Sequence, residues 1–163
     1  MDYEMKPPRK LCIISSKGSL DMAYPPLILA NAARMSGIEA HLFFTFWGLN
    51  VLRKDQPPPV KKDILSRMFG FMMPRGAKKL ALSKMHMAGM GTAMMKHVMS
   101  TKGVLPLPEL IKQAQGLGVQ FVACEMAMNV MGLQKEELLD GVATAGVAEF
   151  AALSAKSTTT LFI

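Results

Sequence analysis

Short apolar runs alternate with amphipathic stretches along most of this chain. Lys10-Leu11-Cys12-Ile13-Ile14-Ser15 is an apolar run of strand length, and Ser16-Lys17-Gly18 after it reads as a turn. Asp21 to Ser36 then reads as a helix. Leu27, Ala30, Ala33 and Arg34 recur at helical spacing, Pro25 and Pro26 suit its first turn, and Gly37 is its stop. Ile38 to Phe46 is aromatic and β-branched, a second strand. Trp47-Gly48-Leu49 turns into a short helix ended by Pro57-Pro58-Pro59. Further on, Pro108 to Leu117 fits a helix with Gly118 at its end, Val119 to Cys124 a third strand, and Glu125 to Met131 a helical turn. A short helix at Lys135 to Leu139, a short strand at Gly141 to Thr144, a helix at Val147 to Lys156 and a β-rich strand at Thr158 to Ile163 complete the pattern.

Strands that alternate with helices predict an α/β domain whose parallel sheet is covered on both faces. In open sheets of this kind ligands bind at the carboxyl ends of the strands. Ser16-Lys17-Gly18, Trp47-Gly48 and Cys124 all fall at such ends, so one rim is expected to gather them.

Composition sharpens this reading. A chain of 163 residues, half of them hydrophobic and 19% charged, is expected to fold as one domain over 1–163 with a substantial core. Met1 to Lys10 is charged and holds two prolines but no apolar core of a signal segment, and no stretch reaches the roughly 20 apolar residues of a membrane span. A soluble, cytoplasmic protein is the expectation. Two cysteines do not make a disulfide scaffold. The charge, however, is uneven. Lys61 to Lys102 holds nine basic residues against the single acid Asp63, a charge of +8, which leaves the rest of the chain at −1 of the total +7. The same segment holds nine of the sixteen methionines. A basic, Met-rich insert at about 60–104 therefore interrupts an ordinary globular body.

Cys124 is the leading candidate for chemistry. A thiol between a strand end and a helix start faces amides whose partial positive charge favours the thiolate, although Glu125 beside it works mildly against that. The alternative is a structural thiol, because free cysteine is among the most buried residue types. Cys12, mid-strand among Leu11, Ile13 and Ile14, reads as core. Ser15 to Ser19 at a helix start suits an anion but lacks phosphate-loop spacing, so a plain turn with Ser19 or Asp21 as N-cap is the preferred reading. Ser16, Lys17, Gly18, Tyr24, Trp47, Glu125 and Met126 are the expected surroundings of the thiol: Lys17 as an electrostatic aid, Tyr24 and Trp47 as cleft walls. His41 lies in a predicted strand and reads as a satisfied core or edge residue. No catalytic triad, carboxylate pair, zinc spacing or dinucleotide fingerprint is visible, and no bound cofactor or metal is expected.

Three segments carry a family resemblance. Ser15-Ser16-Lys17-Gly18-Ser19-Leu20-Asp21-Met22-Ala23-Tyr24-Pro25-Pro26 resembles the first strand–turn–helix of DsrE/DsrF-like proteins. Phe43-Phe44-Thr45-Phe46-Trp47-Gly48 and Ala123-Cys124-Glu125-Met126-Ala127-Met128-Asn129-Val130-Met131-Gly132 are similar to two further signatures of a branch with a Met-rich insert, sometimes labelled sulfur reductase or peroxiredoxin. The resemblance implies a three-layer α/β/α fold with a five-stranded parallel sheet, assembled into homo-oligomers. It also implies sulfur-carrier or sulfurtransferase-like work, with sulfane sulfur held as a persulfide on Cys124. Its partners would be sulfur donor and acceptor proteins or small sulfane-sulfur compounds. Some members carry more cysteines. With Cys124 alone at the rim, disulfide chemistry within one subunit is not expected.

The insert admits several readings. Met85, Met87, Met90, Met94, Met95 and Met99 with His86 and His97 would suit Cu(I) as soft ligands. Met87, Met90 and Met94 also share a helical face, and methionine is an adaptable filler favoured on interaction surfaces, so packing or a subunit interface is preferred. Peripheral contact with a membrane or a protein through 61–102 stays open, which makes a non-catalytic docking protein the rival class. Nucleic acid is not an expected partner, because no motif and few aromatic residues accompany the lysines.

Overall fold

The computed structural model describes residues 9–163, so most of the segment searched for a signal sequence lies outside the described residues. Five parallel strands form one sheet in the order β4-β3-β2-β1-β5. They are β1 (Lys10–Ser15), β2 (Glu39–Phe44), β3 (Gln120–Cys124), β4 (Ala143–Ala145) and β5 (Thr159–Phe162). Helix α1 (Leu20–Met35) joins β1 to β2, α4 (Leu107–Gly116) leads into β3, α5 (Glu125–Met131) follows β3, and α6 (Val147–Ala155) joins β4 to β5.

Right-handed crossovers fix the layers. The steps β1 to β2 and β2 to β3 run the same way across the sheet, so α1 and α4 share a face, where they pack on each other. The step from β4 back to β5 reverses direction and sends α6 to the other face. There Phe150 stacks on Phe43 with ring centroids 4.2 Å apart. Phe44 points the opposite way and meets Phe121 edge-on at 5.9 Å. The central strands are apolar on both sides because both faces are covered: Cys12, Ile13, Leu42, Phe43, Phe44, Phe121 and Ala123 are all buried.

Several boundaries differ from the sequence expectation. Pro25 and Pro26 stand inside α1, beyond its first turn, because the helix starts at Leu20. The element after β2 is a 3-10 helix, Phe46–Leu52, which ends at Arg53 rather than at the prolines. There the backbone of Arg53 bridges to Leu138. Strand β4 begins at Ala143, since Gly141, at φ 82, is still in the turn.

The insert forms α2 (Ile64–Met72) and α3 (Met90–Thr101) with 3-10 turns at Ala77–Lys79 and Met87–Gly89. Asp63 caps α2 by accepting from the Ser66 amide. The expected stripe of Met87, Met90 and Met94 is broken: Ala88 at φ 53 and Gly89 at φ 99 stop the chain before α3 begins at Met90. Arg53, almost fully buried, ties the insert to the body. Its guanidinium donates to the carbonyls of Gly70, Met73 and Pro74 and to Asn50 Oδ1.

Candidate functional site at the carboxyl rim of the sheet

Cys124 is the last residue of β3 and the N-cap of α5. Parallel register sets it beside Ala145 of β4 and one step beyond the Phe44–Ala123 pair. The strand end and the helix start are therefore where the residue types placed them. The side chain is another matter. Cys124 is 0% exposed, belongs to the buried apolar cluster, and makes no cap hydrogen bond to the amides of α5. It lines none of the five clefts of about 210–430 Å³ described on the molecule. The fold thus delivers the thiol to the rim and then covers it. Cys12 is equally buried and lies mid-strand, where burial pushes its thiol pKa up, with Ser157 and Lys10 opposing more weakly.

The ends of β1 and β2 are stitched together. Thr45 donates to the Ser15 carbonyl and Gly48 to the Ser16 carbonyl, while the Ser16 amide donates to Ile163. These bonds bring the backbones so close that a Cβ on Gly18 would strike the Trp47 carbonyl, and one on Gly48 would strike that of Ser15. Glycine is required at both positions by this approach. Ser16, Gly18 and Trp47 are thereby brought together at the ends of β1 and β2. Trp47 is 55% exposed and lines none of those five clefts.

Other candidates scatter. Lys17 is exposed, and among the described residues no hydrogen bond or ion pair ties it to Cys124. Glu125 and Met126 point outward on α5. Tyr24 is buried with its hydroxyl donating to the Leu105 carbonyl at 2.9 Å, and it lines a cleft toward α3 and α4. His86 is engaged with Thr92, their Nδ1 and Oγ1 being 2.8 Å apart, and His97 is exposed on α3.

Sequence reasoning missed two features here. Phe46, next to Trp47, takes a left-handed backbone at φ 44, which non-glycine residues rarely adopt, and it is half-exposed. Nothing in its neighbours signals that conformation. The second is the buried pair of Lys62 and Glu137, which clamps the start of the insert onto the 3-10 turn Lys135–Glu137. Gln134 and Glu137 form a capping box there, and their spacing was a legible signal for it.

The model of the DsrE/DsrF/DrsH-like family matches residues 7–162. The chain belongs to that family. Among members of known sequence it is 48% identical over 155 residues to the uncharacterized protein YrkE of Bacillus subtilis (strain 168), covering 95% of this chain and 97% of that protein. It is 42% identical over 159 residues to the sulfur carrier protein DsrE2 of Allochromatium vinosum, covering 95% and 98%. Two solved structures share the DsrE-like fold. The YchN protein of E. coli superposes with a TM-score of 0.60 at 14% identity, covering 95% of this chain and 99% of that one. The protein MTH1491 of Methanobacterium thermoautotrophicum gives 0.53, also at 14% identity and with the same coverage. No helix among the described residues is long and apolar enough to cross a membrane.

Proposed function

We propose that this protein is an intracellular sulfur carrier that holds sulfane sulfur as a persulfide on Cys124 and passes it to an acceptor thiol. The observation that supports this most is the position of Cys124, at the carboxyl end of β3, in a chain similar to a sulfur carrier protein. In the loading step the Cys124 thiolate attacks the outer sulfur of a donor persulfide, R–S–SH. The donor S–S bond breaks, a new S–S bond forms on Cys124, and the donor leaves as a thiolate. An acceptor thiolate then attacks the outer sulfur, and Cys124 leaves in turn. No net oxidation occurs and no second cysteine on the chain is needed. Because the thiol is covered, both steps require the rim around α5 to open, by local motion or on contact with the donor.

Intact-mass measurement after incubation with polysulfide tests the reading. One added sulfur, absent from Cys124→Ala, is the expected result; equal loading of that variant overturns it.

A second reading, docking through the insert, rests on the orientation of α2. Amphipathic helices normally turn their apolar face inward. Helix α2 does the reverse. Gly70 is buried and Ser66 half-buried against Gly132, while Ile64, Leu65, Met68, Phe69, Phe71 and Met72 are exposed, Phe71 by 86%. Monomers rarely leave so large an apolar patch uncovered. The segment that holds α2 carries a charge of +8, which complements an anionic lipid surface. Assembly into homo-oligomers and a cytoplasmic location belong to the same set of proposals.

A further inference from the structure

Helices α1, α3 and α4 leave a cavity of about 430 Å³ between them. That size falls within the roughly 300–1,000 Å³ of small-molecule sites. Its walls are apolar: Leu20 and Tyr24 from α1, Met99 from α3, and Val104 and Leu107 at the approach to α4. The hydrogen bond from the Tyr24 hydroxyl to the Leu105 carbonyl fixes one wall, and Met99 gives an adaptable one. A more polar cleft of about 370 Å³, lined in part by Arg53, Asp55 and Asp140, adjoins it, with Lys78 and Glu109 lining both.

Charges at this mouth do not cancel. Glu109 is paired with Lys112 at 3.0 Å, and Lys78 with Asp55 at 3.3 Å. Lys96 also lines the cavity, but its ammonium donates to the Lys78 carbonyl at 2.9 Å and has no carboxylate within ion-pair distance among the described residues. That bond uses one of its three donors and holds the head at the wall. An apolar cavity with one unbalanced cation at its edge selects a ligand with an apolar body and one anionic head.

We propose that this cavity binds a lipophilic anion, an acyl carboxylate of medium chain length, with its chain against Leu20, Tyr24 and Met99 and its carboxylate on Lys96. This site lies outside the proposed sulfur chemistry, since Cys124 does not line it.

Calorimetric titration of the full chain with decanoate tests the site, with decanol as the neutral analogue. Saturable one-to-one binding is expected. Lys96→Glu should weaken it about tenfold or more, the scale of a lost charge-assisted hydrogen bond, and decanol should bind comparably weakly. Met99→Trp, which fills the cavity, should abolish binding if circular dichroism shows it folded; Lys96→Glu, at an exposed position, keeps the test decisive if it is not. Cys124→Ala should bind decanoate as the wild type does, so failure of the persulfide reading leaves this result standing. Absence of saturation, equal affinity of Lys96→Glu, or loss of binding only in Phe71→Ser, which would locate the ligand on the exposed face of α2, overturns the proposal.

Discussion

The ammonium of Lys62 and the carboxylate of Glu137 meet inside the protein, each side chain less than a tenth exposed. Lys62 belongs to the insert and Glu137 to the body, so this contact crosses the boundary that composition draws. The same carboxylate oxygen accepts from the Gln134 amide at 2.9 Å, and the Gln134 side chain donates to the Lys61 carbonyl at 2.8 Å. Together with Arg53, these contacts hold the insert onto the body.

Removing one partner leaves the other as an uncompensated buried charge, which costs about 3–5 kcal/mol. Lys62→Met should therefore lower the melting temperature by about 10 °C or more. The double variant Lys62→Met/Glu137→Gln should recover part of that loss, because no ion is then stranded. Calorimetry of the three proteins checks this, and equal melting temperatures for wild type and Lys62→Met would refute the clamp.

Gly132 ends α5 at φ 62, and a Cβ there would press on both the side chain and the Cα of Ser66 in α2. Gly132→Ala adds left-handed strain to that collision and should destabilise by more than about 1 kcal/mol. Adding Ser66→Gly removes the side-chain part of the clash but not the backbone part. Urea titration of the single and double variants should show partial rescue; full rescue would mean that the φ requirement contributes nothing.

The body of the fold was legible because each signal was local. Apolar runs of strand length, the glycines after helices and the alternation with helices specify a parallel sheet, and Val119 to Cys124 needed no more than that. Burial of Cys124 was not legible, since it depends on how α5 and its neighbours settle over a strand end. Backbone contact brings Gly18 and Trp47 together at the ends of β1 and β2. Side-chain direction was not legible: Lys17 and Glu125 are exposed, and Tyr24 lines a separate cleft toward α3 and α4. Arg53 was invisible for a related reason: its partners are carbonyls some 20 residues along the chain, and carbonyls carry no sequence signature.

Shifted groups give the stability a defined pH dependence. Burial pushes the His41 imidazole down, and the Glu39 carboxylate only partly offsets it. The unfolded chain then binds the proton first, so stability should fall as pH drops through about 6.5. For Asp21, burial raises the pKa, but hydrogen bonds from the Ser83 amide and hydroxyl outweigh it, and the net direction is down. Its contribution is present above the ordinary carboxylate value of about 3.9 and is lost as pH falls through the lower folded value. Urea midpoints between pH 8 and 3 should show both declines. His41→Gln should remove the upper one and Asp21→Asn should reduce the lower, to which Asp63 also contributes because Ser66 holds its carboxyl down by hydrogen bonds.

Thiol reactivity separates local from global opening. Cys124 sits at a strand end beside a short helix, whereas Cys12 lies mid-strand between β2 and β5. Iodoacetamide should therefore label native Cys124 more slowly than a free peptide thiol, yet well ahead of Cys12. Urea below the unfolding transition should speed Cys124 alone. Should both thiols react only at the rate of global unfolding, the rim does not open by itself.

The exposed face of α2 predicts surface binding that depends on charge and on apolar side chains together. Vesicles containing anionic phospholipid should sediment the wild-type protein at low salt and release most of it at high ionic strength, because the basic flank acts within a Debye length of about 8–10 Å. Neutral vesicles should retain little. Leu65→Ser/Phe71→Ser, at positions 64% and 86% exposed, should lose sedimentation while keeping the wild-type melting temperature, since neither side chain is buried in the chain itself. Sedimentation unchanged in that variant would dismiss the lipid surface. A wild-type dimer that the same substitutions turn into a monomer, seen by light scattering, would assign the face instead to a second copy of the chain.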